Sequence, residues 1–190
     1  MSTPAIIIAI VVAVVVVAAA IILIIRNQHS KRLRTRFGPE YSRVLGETGS
    51  KTRAEEKLEK LEKRVERFDL RPLSPAARAS FVAAWQKIQS RFVDDPKGAL
   101  TEADRLIQEV MAARGYPVTD FDQRAADISV NHPLIVEHYR AGHDIALEHS
   151  KGRASTEDMR QAMIHYRTLF AELADQPELT HSRTARAGRA

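Results

Sequence analysis

The sequence predicts an all-α protein: an N-terminal transmembrane helix, a charged stalk helix, then a compact bundle of four or five short helices. Three observations predict this. Residues 5–25 are an unbroken run of Ala, Val, Ile and Leu. Beyond that run, apolar residues recur at three- and four-residue intervals, and the period-two alternation of strands is missing. Finally, Ser74-Pro75 and Asp95-Pro96 each place an N-cap residue before a proline at the first helical position, immediately ahead of an apolar-periodic segment.

The run from Ala5 to Ile25 forms a helix of roughly 31 Å at about 1.5 Å per residue, against a hydrocarbon core of about 30 Å. Ile and Val are indifferent helix formers in water. Lipid overrides that preference, because an isolated span can satisfy its backbone only as a helix. Eight Ile, six Val and one Leu favour insertion, together by roughly 5 to 9 kcal/mol. The rival reading is a cleaved signal peptide, for which Ala18, Ala19 and Ala20 would mimic a cleavage site. Met1 to Pro4 has none of the Lys or Arg that a signal peptide's leading region carries.

Arg26, Lys31, Arg32, Arg34 and Arg36 follow the span directly. The positive-inside rule therefore puts the C-terminal bulk in the cytoplasm and the N-terminus outside. These five residues are candidate membrane-surface contacts, each gaining about 1 kcal/mol against anionic lipid headgroups; the plainer reading is that they only fix topology. The span itself has no polar residue to line an ion or substrate path. Ala5, Ala9 and Ala13 form a small-xxx-small row that would let two helices approach closely, although lipid-facing alanines explain the spacing equally simply.

Charge divides unevenly along the rest of the chain. Residues 26–50 carry six basic and two acidic residues, whereas 118–175 carry six basic and ten acidic. The net charge of +5 thus sits beside the membrane and in the tail, which argues against a folded nucleic-acid-binding module. The chain contains no cysteine, which excludes disulfides, thiolate metal sites and cysteine nucleophiles.

Residues 26–50 show little periodicity and contain the Gly38-Pro39 turn signal, so they read as a basic juxtamembrane connector. Residues 51–73 hold the stalk. Ala54, Leu58, Leu61, Val65 and Phe68 fall at heptad spacing between Lys51 and Asp69, with Glu56–Lys60 and Glu59–Lys63 as i,i+4 pairs. A seam of this length is too short to hold a coiled-coil dimer alone. It reinforces a homodimer already formed in the membrane, docks on the body, or stands as a solvated stalk.

Residues 74–175 form the body. Its first helix turns Phe81, Trp85, Ile88 and Phe92 to one side; the aromatic stripe is core, with an exposed recognition patch as the alternative. The second carries Leu100, Ala103, Leu106, Ile107, Val110 and Met111 and stops at Gly115 and Pro117. Thr119 or Asp120 caps a short third helix with Phe121, Ala125 and Ile128 inward. Pro133 opens a fourth, with Leu134, Ile135, Tyr139, Ile145 and Ala146 inward. Ser155 and Thr156 start the last, with Met159, Met163, Tyr166, Phe170 and Leu173 inward. Residues 176–190 are polar and basic and read as a disordered tail.

Five motifs, Arg36-Phe37-Gly38-Pro39-Glu40-Tyr41, Arg71-Pro72-Leu73-Ser74, Arg91-Phe92-Val93-Asp94-Asp95-Pro96, Arg114-Gly115-Tyr116-Pro117 and Tyr139-Arg140-Ala141-Gly142-His143, taken together resemble an uncharacterised family of small single-pass bacterial membrane proteins. The resemblance covers about residues 36–174. It implies an N-terminal anchor plus helical domain in the bacterial inner membrane, and it supplies no activity and no catalytic residues.

The richest polar region lies between His132 and Tyr166, with His132, His138, His143, His149 and His165 beside Glu137, Asp144, Glu148 and Tyr139. A helical metal site needs ligands at i,i+3 or i,i+4 on one face, in forms such as Glu-x-x-His or His-x-x-x-His, and neither form occurs, so no metal or cofactor is expected. Tyr139 and His143 are i,i+4 neighbours able to share a hydrogen bond, and an enzyme would draw its acid–base groups from His138, Tyr139 and His143. Nothing resembling a phosphate-binding glycine loop or a nucleophile elbow accompanies them. The sequence therefore favours a membrane-anchored interaction or scaffold protein with an unidentified protein partner. An envelope-facing binding protein follows if the span is cleaved or inverted, and an enzyme is the third alternative.

Overall fold

The computed structural model describes residues 3–175, with side chains from residue 12 to residue 174. The side chains of Ala5 and Ala9 and the proposed tail at 176–190 lie outside the described residues. Among the described residues the chain forms eight helices and no strand. These are α1 (Thr3–Phe37), α2 (Pro39–Thr48), α3 (Lys51–Val65), α4 (Pro75–Arg91), α5 (Pro96–Ala113), α6 (Phe121–Ser129), α7 (Ile135–Ser150) and α8 (Thr156–Asp175). The chain divides into two units, Met1–Leu58 and Glu59–Ala190, with the division inside α3.

In the first unit the apolar run does not give way to an aperiodic connector. α1 runs on as one helix through the basic segment, and Gly38, with φ at +49°, turns the chain into α2. Residues 26–50, expected to be an aperiodic connector, are therefore largely helical. The physical reason is a periodicity diluted by the interleaved cations. Leu33, Phe37, Tyr41 and Val44, at spacings of four, four and three, are all buried, as are Ala54 and Leu58. A polar clasp joins the three helices. The Tyr41 hydroxyl donates to the Glu55 carboxylate at 3.0 Å. Partial burial raises the Glu55 pKa, but hydrogen bonds from Ser30 and Tyr41 outweigh it and hold the carboxyl below its usual range.

The second unit is a helical bundle in which α7 lies along α8, α8 packs on α5, α5 on α4, and α6 on α7. The expected caps are in place. The Ser74 hydroxyl accepts from the Ala77 amide, and the Asp95 carboxylate from the Gly98 amide. Asp120, not Thr119, caps α6, accepting from the Gln123 amide. Ser155 and Asp158 form a reciprocal capping box at the start of α8, with the Ser155 hydroxyl accepting from the Asp158 amide and the Asp158 carboxylate accepting from the Ser155 amide.

Every inward residue expected on α5 and α8 is buried, and Trp85 stacks on Phe170 with centroids 5.0 Å apart. The aromatic stripe of α4 is thus core. One inward assignment is overturned. Leu134 is 70% exposed, because the regular helix begins at Ile135 and Leu134 sits in the turn that precedes it. Val136 is buried on that side. The heptad seam is turned inward as well: Val65, at the end of α3, is buried, and Phe68, in the turn beyond it, packs against the core and meets Tyr116 edge-on at 6.5 Å. That burial fits docking, not a solvated stalk.

Candidate functional site

Of the five membrane-surface candidates, Arg26, Lys31, Arg32 and Arg34 are exposed and Arg36 is half-buried. The reason is the face of α1 on which each falls. Ser30, Leu33 and Phe37 turn inward, leaving Lys31, Arg32 and Arg34 outward on the same helix directly after the apolar run. The Arg34 guanidinium lies 5.1 Å from the centroid of the Tyr41 ring, a cation–π contact that engages the charged group itself. α1 has one stretch long and apolar enough to cross a membrane, with a mean hydropathy of 2.0 and none of that stretch buried.

The histidines between α6 and α8 are dispersed among separate contacts. His132 is buried, and its Nδ1 is 3.2 Å from the Glu172 carboxylate. Burial pushes its pKa down against the pull of Glu172. His138 meets His165 across the α7–α8 contact, Nδ1 to Nδ1 at 2.9 Å. His143 lies flat on Phe121, centroids 3.6 Å apart, with its Nδ1 buried and unpartnered. The Tyr139–His143 hydrogen bond anticipated from their spacing is not formed. Tyr139 is fully buried, and its hydroxyl accepts from Arg124 Nε at 3.1 Å.

A second buried tyrosine completes this seam. The Tyr166 hydroxyl donates to Asp104 at 2.9 Å, and Gln108 donates to the other Asp104 oxygen at 2.7 Å. Burial and the Asp104 charge raise the Tyr166 pKa far above the normal phenol range. A hydroxyl held neutral and spent on a helix-to-helix bond is a packing device. Gly142 serves the same contact, since a Cβ there would sit 2.9 Å from the Tyr166 ring. Among the described residues, no group of three or more His, Asp or Glu is placed to hold a metal ion.

The motif residues also prove to be structural fixtures. Arg114, nearly fully buried, donates through Nη1 to the Leu173 carbonyl at 3.0 Å and so caps the C-terminal end of α8. Gly115 has φ of +92°, and a Cβ there would stand 2.2 Å from the Asp69 carbonyl. Arg91 pairs with both Asp95 and Glu102, bracing the joint between α4 and α5.

Sequence reading missed one surface feature. A cavity of about 130 Å³ opens between α4 and α8, lined by Gln89, Phe92, Arg160, Met163, Ile164 and Arg167. Its only trace in the sequence is the alternation of cation and apolar residue along α8. No family model, no characterised protein and no solved structure matches the chain.

Proposed function

We propose that this chain is a single-pass bacterial inner-membrane protein, N-terminus outside, whose helical body works in the cytoplasm as an interaction or scaffold module. One observation carries the reading. Every Val, Ile and Leu from Val12 to Ile25 is between 51% and 67% exposed, so nothing among the described residues covers this stretch of the apolar run. Hydrocarbon does so at no cost to the backbone, which a helix satisfies internally.

The cations that follow supply the orientation through the positive-inside rule and give the headgroups an electrostatic foothold. The bacterial setting rests on the motif resemblance. Anchoring would raise the effective concentration of the body toward membrane partners. No catalytic role is given to His138, Tyr139 or His143: His138 bonds to His165 and Tyr139 to Arg124 within the bundle, and His143 stacks on Phe121.

In-cell crosslinking of the full-length protein, beside a form truncated before Ser74, tests the reading. A partner lost on truncation supports an interaction module. Self-crosslinks alone, through α1 or the Lys51–Asp69 seam, would replace it with homo-oligomerisation.

A further inference from the structure

We propose that the groove between α4 and α8 docks an acidic partner segment through one apolar anchor side chain. This deepens the interaction-module reading and rests on it. The size of the cavity comes first. At about 130 Å³ it is close to the roughly 150 Å³ that holds a benzene ring, and well below the roughly 300 to 1,000 Å³ of small-molecule sites. It fits one side chain of a partner, not a metabolite.

The lining specifies the chemistry. Phe92, Met163 and Ile164 give the cavity an apolar floor, and Arg160 and Arg167 stand on its rim. The two arginines are seven residues apart on α8 and bracket Met163 and Ile164, so they lie two turns apart, about 10 Å along one face. Arg167 is exposed and has no ion pair among the described residues. Among the described residues Arg160 is engaged by Glu157 alone, through an exposed pair at 2.7 Å, and such surface pairs are readily exchanged.

Carboxylates on either side of a Leu, Met or Phe would complement this surface: the apolar side chain enters the cavity while the acids meet the two guanidiniums. The chain's own segment 176–190 is the wrong sign for it, with three Arg against one Glu.

The test is selection of a displayed random dodecapeptide library on the full-length protein in neutral phosphatidylcholine nanodiscs. Enriched peptides should carry one large apolar residue flanked by Asp or Glu. They should bind at least tenfold more weakly to Arg167→Glu, and to Gln89→Trp, which fills the groove from an exposed position. Both variants should keep the parent's thermal midpoint. No enrichment, enrichment without acids, or equal binding to both variants overturns the groove. If crosslinked cellular partners depend on the body but survive both substitutions, the groove fails while the interaction module stands. If no partner depends on the body, the module reading fails too.

Discussion

His138 and His165 face each other Nδ1 to Nδ1 at 2.9 Å, with ring centroids 5.2 Å apart. The difference between those distances is about one ring radius on each side, so the two nitrogens meet nearly head-on. That is the geometry of an N–H···N hydrogen bond, in which one ring donates and the other accepts. A second proton would set two N–H groups against each other.

Acid should therefore weaken the bundle. Burial, with the neighbouring His138, lowers the His165 pKa, and burial lowers that of His132. Below the unfolded value of 6.5, the unfolded chain takes up protons that the folded chain resists, so stability is intact above about pH 7 and falls as the pH drops through about 6. The urea midpoint should decrease between about pH 7.5 and 5.5, and His165→Gln should flatten that decrease. An unchanged slope would place its origin elsewhere.

Gly115→Ala should cost at least about 1–3 kcal/mol, since it combines a positive φ with a collision against backbone. The Cβ would stand 2.2 Å from the Asp69 carbonyl, which cannot swing aside as a side chain can. Denaturant unfolding checks this. Gly152→Ala is the control, with a positive φ but nothing within 4 Å, and should cost less.

The caps and stripes were legible because they are local. Ser74-Pro75 and Asp95-Pro96 carry their geometry within four residues, and the buried faces of α5 and α8 follow directly from helical spacing. Leu134 misled because the sequence places Pro133 at the helix start, whereas the structure spends Pro133 and Leu134 on the preceding turn. The helical nature of 26–50 was hidden by cations standing between Leu33, Phe37, Tyr41 and Val44. Long-range partners left no trace. Arg114 reaches Leu173 and His138 reaches His165 across separations of 59 and 27 residues, which no spacing rule encodes.

Trp85→Ala should destabilise the body by about 3–5 kcal/mol, the cost of removing a buried indole. Trp85 is only 5% exposed and stacked on Phe170. Chemical unfolding of the full chain in detergent measures it. A cost below about 1 kcal/mol would return the aromatic stripe to the role of a recognition surface.

Tyr41→Phe should loosen the juxtamembrane helices by about 1 kcal/mol, because it removes the hydroxyl that Glu55 accepts from at 3.0 Å. Hydrogen exchange should show faster amides across α2 and unchanged protection in α5 and α8. Uniform loss of protection throughout would show that the clasp is not local.

Membrane topology tests the account most directly, and a chain without cysteine makes the measurement clean. Ser2→Cys and Ser80→Cys would be introduced separately in the full-length chain and exposed to a membrane-impermeant maleimide on intact spheroplasts. Ser80 is exposed on α4, so its modification reports on compartment, not burial. The account predicts labelling of Ser2→Cys in intact spheroplasts, and of Ser80→Cys only after the membrane is opened. Labelling of Ser80→Cys in intact spheroplasts, or release of the chain by alkaline carbonate, would contradict it.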